Sequence, residues 1–156
     1  MNLSTIQDKI DKGILDPNKP INMKDLVTCA AVSRRLKDGV KLLGAGDLKQ
    51  PINIEVLRAS QSAIEKIEEA GGSITVSWYT RLGLRALLRP DKFDILPRRS
   101  RPPSKYIAYY TSNENRGYLS PMMQMKKLGL EYKPVVLDDQ DKVKTQEFSK
   151  KKINKA

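Results

Sequence analysis

Val40-Lys41-Leu42-Leu43-Gly44-Ala45-Gly46-Asp47-Leu48 opens the stretch that decides the fold, and Ile52-Asn53-Ile54-Glu55-Val56, the run 60–72 and Ile74-Thr75-Val76-Ser77-Trp78 complete it. Residues 40–43 and 52–56 read as strands, the second because apolar and polar residues alternate strictly, as in a strand with one buried face. Gly44-Ala45-Gly46-Asp47 turns the chain between them. Ser60 is suited to cap a helix, since its hydroxyl accepts from backbone N–H groups at a helix start. Ala63, Ile64, Ile67 and Ala70 then fall on one face at helical spacing, and Gly71-Gly72 stops the helix before the last strand. Strand, strand, helix, strand within about forty residues predicts a small α/β core.

Toward the N-terminus, Leu3, Ile6 and Ile10 predict a short helix closed by Gly13, and Asp16-Pro17-Asn18-Lys19-Pro20 a turn. Asn22 then caps a helix carrying Met23, Leu26, Val27, Ala30 and Ala31 on one side. Toward the C-terminus the periodicity is lost. Pro90, Pro97, Pro102 and Pro103 alternate with basic residues, so 90–105 reads as an extended arm. Ser120-Pro121, Met122, Met123, Met125, Leu128 and Gly129 predict one short helix near 121–128, with N-cap, proline at the first turn and glycine stop. The expected organisation is therefore an α/β core domain over 1–79, with its N-terminal helices, and an extended, basic, proline-rich extension over 80–156 that ends in a lysine-rich tail at 150–155.

The chain has 156 residues, 29 lysines and arginines against 18 acids, and a formal net charge of +11. Such a field attracts polyanions, nucleic acid first. An apolar fraction of 39% with nine prolines and nine glycines points to segments that bury little surface of their own. Histidine is absent and Cys29 is the only cysteine. That excludes an intramolecular disulfide, a multi-cysteine zinc site and any histidine-dependent catalytic triad. An enzyme, a cofactor, a bound metal and a small-molecule substrate are not expected, and no apolar run is long enough to span a membrane. The opening residues 1–8 match neither a secretory signal nor a mitochondrial presequence.

The segments at 40–48, Pro51-Ile52-Asn53-Ile54, Ala59-Ser60, Ala63 and Ile67-Glu68-Glu69-Ala70-Gly71-Gly72-Ser73 together resemble the C-terminal half of the ribosomal large-subunit protein fifteen family. Leading into them, Asp16-Pro17-Asn18-Lys19-Pro20-Ile21 and Lys24-Asp25-Leu26-Val27 are also similar to it, so the likeness covers roughly 2–79. Pro102-Pro103, Tyr109-Tyr110-Thr111 and Asn115-Arg116-Gly117-Tyr118-Leu119 resemble the extension of its mitochondrial branch. The resemblance implies a small irregular β-β-α superhelical core and a structural place in the large subunit, beside its ribosomal RNA and neighbouring ribosomal proteins. It implies the mitochondrial matrix as the compartment, the cytoplasm of a bacterium being the alternative. The family's glycine- and arginine-rich N-terminal arm has no match here, which leads us to expect the C-terminal portion of a longer protein. A non-resident RNA-binding ribosome assembly adaptor is the alternative function.

Binding of this kind calls for lysine and arginine at phosphate spacing, with no need of a deep pocket. Arg98, Arg99, Arg101 and Lys105 sit on the proline-rich arm, where a pre-extended backbone lowers the ordering cost. Arg81, Arg85 and Arg89 form one stripe if 81–89 is helical; Arg34, Arg35, Lys37 and Lys41 flank the first strand, and Arg116 lies in the mitochondrial-like block. For each, the competing reading is a solvated surface charge. Trp78, Tyr79, Tyr106, Tyr109, Tyr110 and Tyr118 are candidates for stacking on unpaired bases. Core packing is the better reading for Trp78, whereas Tyr109 and Tyr110, read as extended neighbours, point opposite ways toward RNA or protein. Gly44-x-Gly46 lacks the third glycine of a dinucleotide fingerprint and is read as a turn. Asp138, Asp139 and Asp141 are read as a solvated acidic loop rather than a metal site.

Overall fold

The computed structural model describes residues 1–130, and its centre is the continuous run 53–59. The first part of that run is strand β2 (Asn53–Val56), which pairs in parallel with β4 (Ser73–Val76) from Asn53↔Ser73 to Val56↔Val76. Past Leu57 the same run becomes β3 (Arg58–Ala59) and pairs in parallel with β1 (Lys41–Leu42). One stretch of backbone therefore serves two small sheets and changes partner at Leu57. Parallel neighbours cannot be joined by a tight hairpin, and the helix α3 (Gln61–Glu69) carries the chain back to β4. Single bridges from Ile21 to Ile54 and from Gly117 to Val76 widen the β2–β4 pair on both edges. The mixed α/β architecture predicted from 40–78 is present, although its strands are shorter than the sequence runs.

The turn at 44–47 does not close a hairpin, because 40–43 and 52–56 are not partners. It is a close-approach joint. A Cβ on Gly44 would collide with the Ser62–Ala63 backbone in the first turn of α3, and one on Gly46, at φ +93°, with the backbone of Ser4. The approach has a purpose at α1 (Leu3–Asp11), whose Asn2 N-cap makes no side-chain bond. Its first amides instead donate to the carbonyls of Leu43 (3.2 Å) and Ala45 (3.1 Å), satisfying donors that a helix start leaves open. Leu3, Ile6, Leu26, Leu42, Ile52, Val56, Ile67 and Val76 are fully buried in the resulting core.

Helix α2 (Met23–Thr28) starts as predicted, with the Asn22 side chain accepting from Lys24 N and Asp25 N and the Asp25 carboxylate accepting in turn from Asn22 N. It ends earlier than the apolar spacing predicts. Ala30 adopts φ +54°, its amide bonds to Val27 O, and that of Ala31 bonds to Leu26 O. This paired closure is the one that Gly13, Gly71 and Gly129 make at the ends of α1, α3 and α6 (Pro121–Lys127). At Ala30 it is made without a glycine, so nothing in the sequence marks it.

Beyond residue 79 the structure is more helical than predicted. Helix α4 (Arg81–Leu88), capped by Thr80, packs on α2, and a 3-10 turn follows at Pro90–Lys92. Residues 104–105, read as the end of an extended arm, begin helix α5 (Ser104–Thr111). Pro102-Pro103 do not oppose this, since the fixed φ of proline is compatible with a helix start. Tyr109 and Tyr110 are thus helical neighbours, and the extended reading is corrected: Tyr110 is completely buried and its hydroxyl donates to Leu57 O at 3.1 Å. The rings of Trp78, Tyr109 and Tyr118 pack around it at 5.2–6.1 Å between centroids. This aromatic contact supplies the driving force for the helix that local periodicity lacks. The predicted helix near 121–128 is present as α6. The lysine-rich tail and the Asp138, Asp139 and Asp141 cluster lie outside the described residues.

Candidate nucleic-acid interface

Helix α4 turns Leu84 and Ala86 inward and leaves Arg81 and Arg85, four residues apart, on one exposed stripe continued by Arg89. Because α4 packs on α2, the segment that leaves α2 brings Arg34 and Lys37 alongside. Arg34, Lys37, Arg81, Arg85 and Arg89 surround a groove of about 450 Å³ with Leu36, Leu82 and Leu88 in its wall and no acidic residue in its lining. Among the described residues none of the five forms a salt bridge. Arg85 lies 5.9 Å from the Phe93 ring. Arg35 is exposed next to this groove in sequence but does not line it.

A second groove of about 380 Å³ shares Lys37 and Arg81 with the first and runs on over Lys41, Arg58, Trp78 and Tyr106, with Asp38 as its one acid. The Arg58 guanidinium stands over Tyr106 (5.1 Å) and Tyr109 (5.4 Å), and the Lys105 ammonium lies 4.8 Å from the Tyr106 ring. Arg58 was not singled out from sequence. An isolated arginine in a short strand gives no local signal, and its role appears only when α5 docks against β3.

Two of the predicted contacts point elsewhere. Arg116, itself at φ +51°, forms a two-pronged pair with Glu68, Nη2 to Oε2 being 2.8 Å, and Nη1 donates to Asn113 O at 2.6 Å. That hydrogen-bonded guanidinium holds the Glu68 carboxyl below the usual carboxylate range, against a smaller opposing effect of burial. Arg99 pairs with Glu55 and lies between the rings of Tyr79 (4.5 Å) and Tyr118 (4.8 Å). Burial pushes the Glu55 carboxyl up, but Ser77, Arg99 and Tyr79 together outweigh it and the net shift is downward. Burial and the charge of Glu55 push the Tyr79 phenol up to about 12. Arg98 and Arg101 remain exposed on the connecting segment, without a salt bridge among the described residues. Cys29 is buried. Among the described residues no group of histidine, cysteine, aspartate or glutamate is placed to hold a metal, and no helix is long and apolar enough to cross a membrane.

Such a surface can neutralise a run of phosphates. The family model described as ribosomal proteins 50S-L15 and 50S-L18e, together with their 60S equivalent, matches residues 1–75. The chain is 40% identical to the large ribosomal subunit protein uL15m of Schizosaccharomyces pombe over 88% of its own length and 57% of that protein. It is 37% identical to uL15m of Neurospora crassa, over 77% of this chain and 47% of that one. The large ribosomal subunit protein uL15 of a Methylobacterium is 47% identical, over 49% of this chain and 47% of its own. The chain thus spans about half the length of the curated relatives it matches. The sequence match over residues 1–75, and along most of the chain in the two uL15m relatives, places this chain in the ribosomal L15 and L18e family.

Proposed function

We propose that this chain is a structural, non-catalytic constituent of the large subunit of the mitochondrial ribosome, holding ribosomal RNA against the face formed by α4 and the segment leaving α2. The observation that carries the reading is the acid-free groove ringed by Arg34, Lys37, Arg81, Arg85 and Arg89. Unpaired cations clustered on one face release counterions when they meet a phosphate backbone, and that supplies most of the affinity for RNA. Lys41, Arg58 and Lys105 extend the same face, while Arg98 and Arg101 serve as outlying contacts on the connecting segment. Arg99 and Arg116, paired with Glu55 and Glu68, hold the returning chain in place instead. The mitochondrial assignment is supported by the two relatives named uL15m, which match well beyond residue 79, whereas the bacterial uL15 relatives match about half of the chain. Neighbouring large-subunit proteins are the second partner class.

The test is sedimentation of mitochondrial lysates through a sucrose gradient after a moderate salt wash. A resident protein stays with mature large subunits; recovery only in precursor fractions would overturn residence in favour of an assembly adaptor, a reading that no observation on this chain favours.

A further inference from the structure

The two grooves differ in what they offer an RNA. The α4 groove presents cations around aliphatic walls, which suits phosphates of either strand form. The groove over Trp78 and Tyr106 adds aromatic surface flanked by Lys37, Lys41 and Arg81. Trp78 and Tyr106 pack at 5.5 Å between centroids with a 35° tilt, so they make a continuous aromatic wall. The indole Nε1 of Trp78 is buried and has no hydrogen-bond partner among the described residues, a donor for which an acceptor is needed. The Tyr106 ring also carries the ammonium of Lys105, an exposed side chain 4.8 Å away that does not itself line the groove. Arg58, by contrast, is half-buried and held between two tyrosines.

From this geometry we infer that the Trp78–Tyr106 groove is a receptor for a single unpaired nucleotide of RNA, distinct in chemistry from the phosphate-binding groove beside it. The inference rests on the RNA-binding reading above. The base stacks on the Trp78–Tyr106 wall beside the Arg58 guanidinium; stacking on an aromatic ring and on guanidinium planes is the common means of holding an extruded base. The flanking phosphates meet Lys41 and Arg81. A groove of about 380 Å³ lies within the usual range of small-ligand sites, room for one nucleotide and not for a helix.

Trp78 is the only tryptophan, so indole fluorescence comes from this one position in the groove wall. The full chain is titrated with two RNA hairpins of equal length and charge, one fully paired and one carrying a single-nucleotide bulge. The expected result is roughly tenfold tighter binding of the bulged hairpin with quenching of Trp78. Tyr106→Leu abolishes that preference for the bulged hairpin, while Tyr106→Phe, which keeps the ring, retains it. Equal affinity for both hairpins, with normal salt dependence and no quenching, overturns the nucleotide receptor and leaves the RNA-binding reading standing. Salt-insensitive or absent binding of both overturns the two together.

Discussion

Two faces of this molecule use arginine in opposite ways. Around α4, Arg34, Arg81, Arg85 and Arg89 form no salt bridge among the described residues, whereas on the side where α5 and α6 meet the sheet, Arg99 and Arg116 are paired with Glu55 and Glu68. In the sequence the two sets look alike, and if anything the Arg98-Arg99-Ser100-Arg101 cluster looks richer. The difference is whether a carboxylate from the core reaches the guanidinium. β2 and α3 place Glu55 and Glu68 beneath the returning chain, whereas the described lining of the α4 groove holds no acid. Net charge therefore measures attraction for a polyanion, but only tertiary pairing decides which charges are available to it.

The contrast is broken most severely on the paired side by Gly117→Ala. A Cβ there would run into the Tyr110 carbonyl, a backbone group that cannot swing aside, so a loss of about 3 kcal/mol or more in urea denaturation is expected. On the open side, replacing Arg81, Arg85 and Arg89 together with alanine should leave thermal stability nearly unchanged. It should also lower the slope of log affinity against log salt by roughly one unit for each arginine that meets a phosphate. A stability loss comparable to that of Gly117→Ala would show that the open arginines are structural after all. Arg116→Ala gives the mirror image, a loss of about 1 kcal/mol, modest because Glu68 is partly exposed, with unchanged RNA affinity at equal folded fraction.

The same pairs set the acid limb. Glu55 and Glu68 are held below their ordinary value near 4.5, so their contribution is complete above that pH and is lost as pH falls through their lower folded-state values. Melting temperatures measured between pH 7 and pH 3 should fall on the acid side, and Glu68→Gln should flatten part of that fall. The smallest effect is expected at Ala30. Ala30→Gly relieves a left-handed alanine and should raise stability by roughly 0.5–1 kcal/mol, firming the segment that carries Arg34 without altering charge.

Much of the core was legible in the sequence because its signals are local. Asn22, Ser60 and Ser120 cap the helices they were expected to cap, and the alternation at 52–56 marks a real strand. What was not legible depends on contacts between distant residues. No glycine marks the end of α2 at Ala30. Helix α5 draws its stability from Trp78, some thirty positions earlier, rather than from its own periodicity. Among the site residues, the α4 stripe could be anticipated from four-residue spacing alone. Arg58 could not, and the inward commitment of Arg99 and Arg116 required knowing where Glu55 and Glu68 end up.

The run 53–59, which changes partner at Leu57, also bears on how the molecule opens. Because one continuous run of backbone supplies a strand to each sheet and Tyr110 hydrogen-bonds the carbonyl of Leu57 at the changeover, neither sheet is separated from the other by a boundary along which it can melt by itself. Amide protons in β1, β2, β3 and β4 should then become exposed to solvent in a single opening event, and α5, anchored at the changeover, belongs to that same cooperative unit.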